Sequence, residues 1–139
     1  PGIYAIDRLP IARLKQGTPA LLEKEDSYTN HIHADDLARI IVAAFHYGKN
    51  SRIYNACDDS SLKMGDYFDL VADTFKLPPP PRISRAQAKE QIPAGLLSFM
   101  EESRRLTNDR MKRELRIKLL YPTVHEGISK VIPDKNCLR

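Results

Sequence analysis

Glycine is sparse in this sequence and never clustered. The 139 residues contain six glycines, at positions 2, 17, 48, 65, 95 and 127. A Gly-x-Gly-x-x-Gly dinucleotide fingerprint and a P-loop both need several residues without a Cβ in one loop, so that the backbone can approach a phosphate. The sequence therefore contains no phosphate-binding loop of either kind.

Other catalytic signatures are missing as well. Gly127-Ile128-Ser129 lacks the second glycine of a nucleophile elbow, and no His-Glu-x-x-His motif occurs. None of the six tyrosines is followed by a lysine four positions later. We therefore expect no catalytic residue and no complete active site within this chain.

Cysteine and long apolar runs are scarce too. Cys57 and Cys137 are too far apart for a redox motif or half of a zinc site, and we expect free thiols in a reducing compartment. The longest uncharged apolar run, Ile40 to Phe45, is far below the roughly 20 residues that span a bilayer, and no signal peptide opens the chain. These features predict a cytoplasmic protein without a membrane partner.

The residues present predict an α/β fold. With 42% hydrophobic and 29% charged residues, the chain has the composition of one folded domain, 1–139. Residues 1–60 are predicted to form short strands with a helix at 35–48, and residues 61–139 a mostly helical part. Strands are expected at 1–4, 20–22, 30–33 and 52–57. Helices are expected at 10–17, 35–48, 64–75, 85–91, 95–102, from Asn108 onward and at 124–131. Pro78 to Pro81 are expected to form an extended connector.

The helix at 35–48 is apolar almost all round. Leu37, Ile40 and Ile41 begin a regular amphipathic stripe, and Ala38, Val42 and Ala43 widen it. Because a surface helix does not need so broad an apolar face, we expect it to be covered on more than one side. The cover would be a parallel sheet from elsewhere or, for this chain alone, a homo-oligomer.

Four motifs together resemble the NAD(P)-dependent epimerase/dehydratase family, the extended short-chain dehydrogenases/reductases. They are, in order, Pro1-Gly2-Ile3-Tyr4, His31-Ile32-His33-Ala34-Asp35-Asp36-Leu37-Ala38, Arg52-Ile53-Tyr54-Asn55-Ala56-Cys57-Asp58-Asp59 and Tyr121-Pro122-Thr123-Val124-His125-Glu126-Gly127. The resemblance covers nearly the whole chain. It implies a C-terminal fragment of a Rossmann-type enzyme, whose missing N-terminal half would hold the glycine-rich loop and the Tyr-x-x-x-Lys pair.

The resemblance also implies site residues. Gly2, Ile3 and Tyr4 would line the nicotinamide of NAD or NADP in the full-length enzyme, whereas this chain alone is expected to bind neither. Arg8, Asn30, His31 and Arg104 would contact the substrate. Thr29-Asn30-His31 stands where nucleotide-sugar enzymes of the family have Arg-Asp-Tyr, so the guanidinium that grips a diphosphate is absent, which disfavours a nucleotide-sugar substrate.

Two clusters allow other interpretations. His31, His33 and Asp35 could be metal ligands on one face of a strand, but a buried hydrogen-bonded His33 and a helix-capping Asp35 are favoured, and no metal is expected. Seven basic residues between Arg104 and Lys118 could bind nucleic acid, but no aromatic residue interleaves them. A solvated helix face is favoured there, and no nucleic-acid partner is expected.

Three functional hypotheses follow. The first is the substrate-binding portion of an NAD(P)-dependent epimerase, dehydratase or reductase, in which hydride transfer needs the absent half. The second is a non-catalytic interaction module that self-associates. The third, and least favoured, is a basic nucleic-acid-binding domain.

Overall fold

The computed structural model describes residues 2–131, and the backbone alone at Val131. It contains three pairs of short strands and seven α-helices within those residues. The helices are α1 (Ile11–Lys15), α2 (Ala34–Tyr47), α3 (Met64–Thr74), α4 (Arg85–Gln91), α5 (Ala94–Glu101), α6 (Asp109–Glu114) and α7 (Val124–Val131). The strands are β1 (Gly2–Tyr4), β2 (Ala20–Leu21), β3 (Tyr28–Thr29), β4 (His31–His33), β5 (Leu62–Lys63) and β6 (Arg82–Ile83).

These elements form two compact units, each discontinuous in sequence. Within the described residues, the first unit comprises residues 2–8, 30–60 and 106–131, and the second comprises residues 9–29 and 61–105. The predicted parts, 1–60 and 61–139, are by contrast contiguous. The mixed α/β architecture agrees with the predicted fold class.

In the first unit, helices cover both faces of a two-stranded parallel sheet. β1 pairs with β4 in the register Gly2 to His31, Ile3 to Ile32 and Tyr4 to His33. Because side chains alternate along a strand, Ile32 points to one face of the sheet and the two histidines to the other. Ile32 joins a core from α2, α6 and the following segment, made of Ile40, Ala43, Met111, Leu115 and Leu119. The opposite face is covered by α7.

The second unit has its own core. β2 pairs with β6 in parallel, and β3 pairs with β5 antiparallel. A buried cluster joins β2 to the helices α4 and α5, and its members are Leu21, Ala88, Ile92, Leu97 and Met100. Gly65 leaves space for the Arg82 guanidinium, which bonds to Asp69 and lies 3.7 Å from the buried Asp26 carboxylate.

Most predicted helices are confirmed within about a residue at each end, but the strand predicted over Arg52 to Cys57 is wrong. That segment joins β4 through the Asp58 N–H, which donates to the His31 carbonyl oxygen at 2.7 Å. Its apolar side chains Tyr54 and Ala56 pack on the first unit's core instead. A ladder needs a neighbouring strand along the whole segment, and the described residues provide none at 52–57.

The starts of α2 and α6 depend on other contacts than the residue types suggest. The side chain of His33, not a carboxylate, caps α2, because its Nδ1 accepts the Asp35 N–H at 3.2 Å. Asn108 precedes α6 as predicted, but its side-chain amide donates to the Cys57 carbonyl oxygen and to Asp59, both at 2.8 Å.

Candidate functional site

The candidate site is built around the face of the β1–β4 sheet that carries Tyr4, His31 and His33. The Tyr4 ring lies edge-on to both histidine rings, with centroids 6.5 Å from His31 and 5.2 Å from His33. The His33 ring stacks on Tyr121 at 3.8 Å. All three side chains on this face are buried in the first unit. The cluster is therefore a packed aromatic layer, not an open cleft.

Helix α7 closes this layer because Gly127 has no side chain. A Cβ at position 127 would lie 2.7 Å from the Tyr4 Cε2 atom and closer still to the hydroxyl oxygen. The Tyr4 hydroxyl donates to the Thr123 carbonyl oxygen at 3.3 Å, just before α7 begins. Gly127 ends the fourth sequence motif, Tyr121 to Gly127. Its contact with Tyr4 joins residues far apart in the sequence, so no local pattern predicts it.

His31 is a neutral group in this environment. Its side chain is 5% exposed, and burial lowers the pKa of the imidazole to about 4. At neutral pH it therefore offers hydrogen-bonding nitrogens and no positive charge. An anionic substrate would gain no ion pair from His31.

Asp58 is a second buried titratable group, which the sequence alone did not single out as a site. Its Oδ1 accepts the Ser60 N–H at 2.9 Å, whereas its buried Oδ2 has no hydrogen-bond partner among the described atoms. Burial raises the pKa of this carboxyl to about 6. Ser60 in turn accepts the Val124 N–H at 2.8 Å, so Asp58 is connected to the first turn of α7.

Asp36 links the segment before α7 to α2. Its fully buried carboxylate accepts the backbone N–H groups of Leu120 and Tyr121 at 2.9 and 2.8 Å and pairs with Arg39 at 2.8 Å. Its role is to hold the segment that carries Tyr121 against α2, and the sequence had indicated only a helix-end carboxylate.

The predicted cofactor residues differ in accessibility. Gly2 and Ile3 are exposed, while Tyr4 is buried under α7. Gly65 and Gly127 are packed against side chains, since Gly65 abuts Arg82 and Gly127 abuts Tyr4. The contact of Gly2, Ile3 and Tyr4 with a nicotinamide stays a prediction.

The predicted substrate residues are divided between the two units. Arg8, Asn30 and His31 belong to the first unit and Arg104 to the second. Arg8 is exposed, and its N–H closes a short 3₁₀ turn. The Asn30 side-chain oxygen accepts the Leu106 N–H at 2.9 Å. Arg104 forms an ion pair with Glu102 at 3.2 Å. Their contact with a substrate stays a prediction.

The basic stretch between Arg104 and Lys118 makes several contacts within its own units. Arg110 donates to the Ile53 carbonyl oxygen, Lys112 binds Asp59, and the Arg116 guanidinium lies 4.8 Å above the Tyr47 ring. In the second unit, Arg105 lies 4.9 Å above the Tyr28 ring. These pairings connect the basic stretch to distant segments of the same unit.

Among residues 2–131, no three His, Cys, Asp or Glu side chains are grouped so that they could hold a metal ion. No helix in that range combines the length and apolarity needed to cross a membrane. Cys57 is a buried free thiol, and Cys137 lies outside the described residues.

Comparison with solved structures identifies the fold. A conserved protein of unknown function from Silicibacter pomeroyi DSS superposes with a TM-score of 0.81 and 28% sequence identity, covering 94% of this chain and 44% of that one. The human epimerase family protein SDR39U1 (isoform 2), solved with NADPH, superposes with a TM-score of 0.69 and 12% identity, covering 87% of this chain and 41% of that one.

No family model matches the sequence. No curated protein matches it either. The chain spans less than half the length of the two solved structures it resembles. It therefore shares the fold of one part of an epimerase family protein.

Proposed function

We propose that this chain is the C-terminal, substrate-binding portion of an NAD(P)-dependent oxidoreductase of the epimerase/dehydratase type. One observation carries the proposal: nearly the whole chain superposes on less than half of two larger proteins, one of them an epimerase family protein with NADPH. The four sequence motifs occur in the order that this family has. Such a portion is not catalytically competent alone, since the chain contains no Tyr-x-x-x-Lys pair.

The proposal gives Arg52 to Cys57 a strand partner. Asp58 bonds to the carbonyl oxygen of His31, which is level with Gly2 in β1. If β1 continued in the N-terminal direction, the added residues would run beside 52–57 and could complete a parallel ladder. The β-branched and aromatic composition of that segment would then suit a strand.

The cofactor, NAD or NADP, would supply the hydride, and this chain's residues would form one wall of its site. Gly2 and Ile3 are exposed at β1 and would lie against the nicotinamide, with Tyr4 anchoring the strand from below. Binding of the phosphates would fall to residues of the other half. The chain alone would bind no dinucleotide.

The substrate would be held by polar groups around the same strands. Arg8 is the exposed cation near β1, and Asn30 and the neutral His31 would offer hydrogen bonds to hydroxyl or carbonyl oxygens. Arg104 is a candidate from the family resemblance alone. These groups favour a polar substrate without a diphosphate.

The gene offers the first test. The reading frame upstream of Pro1 should encode a strand followed by Gly-x-x-Gly-x-x-Gly and, later, Tyr-x-x-x-Lys. In the enzyme expressed from that frame, Arg8→Ala should raise KM more than it lowers kcat, because Arg8 is assigned to binding. Lys15→Ala, an exposed change in α1, is the control. An upstream frame without these motifs would refute the proposal.

A non-catalytic, self-associating module of the same fold is the second candidate. The observation that favours it is the bare outer face of α2, where Ile41, Val42 and Phe45 are 51%, 58% and 87% exposed. Apolar side chains grouped in this way mark interaction surfaces. A cytoplasmic homo-oligomer is part of both candidate functions.

A further inference from the structure

The segment that leads into α7 is held by contacts with two other parts of the first unit. It comprises residues 118–123 and is here called the strap. Its Tyr121 stacks on His33, so release of the strap would uncover the sheet face that carries the histidines. The contacts that hold it are those of Lys118 with Arg39, of Leu120 and Tyr121 with Asp36, and of Pro122 with the Asp59 N–H.

Two buried carboxyls in the segments that hold the strap differ in their partners. Asp36 is fully buried, and both of its oxygens accept hydrogen bonds, with Arg39 as its ion-pair partner. Asp58 is 4% exposed, and its Oδ1 accepts the Ser60 N–H at 2.9 Å. Its Oδ2 has no hydrogen-bond partner among the described atoms, although this chain's own residues already enclose it. A group from outside the chain therefore has no access to Oδ2 while the strap is in place.

We propose that Asp58 is a proton-operated latch: the strap and α7 stay in place while its carboxyl is neutral, and ionisation of the carboxyl promotes their local release. A buried carboxylate without a counter-charge is unfavourable, and release of the neighbouring chain admits water to it. Ser60 is the link, since it donates to Asp58 and accepts the Val124 N–H at 2.8 Å, at the start of α7. The latch acts through this chain's own contacts and does not depend on the proposed oxidoreductase activity.

The groups around Asp58 set the direction of the pH dependence. Burial, and after it the charges of Asp59 and Asp36, raise the pKa of Asp58 to about 6. The docked strap is therefore favoured at low pH and is progressively weakened as the pH rises through 6. His31 of β4 acts in the opposite sense, because burial lowers its pKa to about 4. The surrounding elements also carry Arg39 on α2, Lys112 on α6, and the exposed His125 and Glu126 on α7.

Because these other groups titrate too, the test compares the 139-residue chain with a variant that lacks only the Asp58 carboxyl. Hydrogen exchange is followed by NMR from pH 4 to 7 at the Tyr121 and Val124 amides. We expect the protection in Asp58→Asn, relative to the unmodified chain, to rise at least about tenfold over this range. Asp7→Asn, at an exposed aspartate of the same unit, is the matched control and should leave the profile unchanged.

Two measurements on the unmodified chain complete the test. At pH 7 the Tyr121 and Val124 amides should be at least about tenfold less protected than the Ile40 amide, since the strap opens while α2 stays folded. The carbon-13 shift of the Asp58 carboxyl should titrate with a midpoint of about 6. Equal protection of the strap and Ile40, a protection ratio that does not change with pH, or an ordinary carboxyl midpoint would each overturn the proposal. Cofactor binding is not read out, so failure here leaves the proposed oxidoreductase function untouched.

Discussion

The ring of Tyr4 occupies the space that a side chain at position 127 would need. Gly127 lies on α7 and Tyr4 at the end of β1, and the Tyr4 hydroxyl bonds to the Thr123 carbonyl oxygen at 3.3 Å. This close approach fixes α7 over the sheet face that carries His31 and His33. The packing of that face therefore depends on the absence of one Cβ.

Gly127→Ala should destabilise the protein by about 1–3 kcal/mol, because the added methyl must displace a fully buried ring. Urea unfolding followed by circular dichroism measures the change. Gly95→Ala is the matched control: Gly95 lies in α5, and a Cβ there meets no atom within 4 Å. That control should be neutral or slightly stabilising, since alanine favours helix. Equal effects of the two substitutions would contradict the assigned contact.

His33 should contribute through two separable interactions, the cap of α2 and the stack on Tyr121. His33→Ala removes both and should cost about 1–3 kcal/mol. His33→Asn keeps a side-chain acceptor at the cap position and should recover about 1 kcal/mol of that loss. Hydrogen exchange at the Asp35 amide gives the local check. It should be fast in the alanine variant and slow in the asparagine variant and the unmodified protein. Equally fast exchange in both variants would rule out the cap.

His31 and Asp58 should act in opposite directions on the pH dependence of stability. The pKa of His31 is lowered from 6.5 to about 4 by burial, so its contribution is present above pH 6.5 and is lost as the pH falls towards 4. The pKa of Asp58 is raised from 3.8 to about 6 by burial, so its contribution is present below pH 3.8 and is lost as the pH rises through 6. Each amounts to about 3 kcal/mol, and between pH 4 and 6 the two largely offset each other.

Removing either group should reveal the pH dependence of stability that the other group causes. In His31→Gln, the free energy of unfolding should fall as the pH rises from 4 to 6, relative to the unmodified protein. In Asp58→Asn, it should fall as the pH drops from 6.5 to 4. Urea titrations at closely spaced pH values measure both slopes. Variants whose pH profiles run parallel to that of the unmodified protein would show that neither group is held in the environment described.

The sequence predicted those elements whose signals are local. The apolar spacing in 64–75 and the proline and glycine near the ends of other helices located α3, α2 and α7. Two-residue strands such as β3 and β6 carry too few residues to show a period of two, and they were missed. The strand expected at 52–57 failed because its composition suits a strand but pairing requires a neighbour.

The candidate site was predictable only in part. Alternation along β4 correctly places His31 and His33 on one face of the sheet. Three other features depend on contacts between residues far apart in the sequence. They are the stacking of Tyr121 on His33, the binding of Asp36 to the backbone of residues 120 and 121, and the burial of Asp58. The residue type favours Asp35 as the cap of α2, whereas in the structure the His33 Nδ1 accepts the Asp35 N–H at 3.2 Å.

We propose that this chain is one portion of an NAD(P)-dependent protein and that it holds no dinucleotide site of its own. Isothermal titration calorimetry with NADPH tests it most directly, using the 139-residue chain beside the protein expressed from the complete reading frame. We predict micromolar binding to the complete protein and no heat with the chain alone. Clear micromolar binding to the chain alone, or none to the complete protein, would contradict the claim.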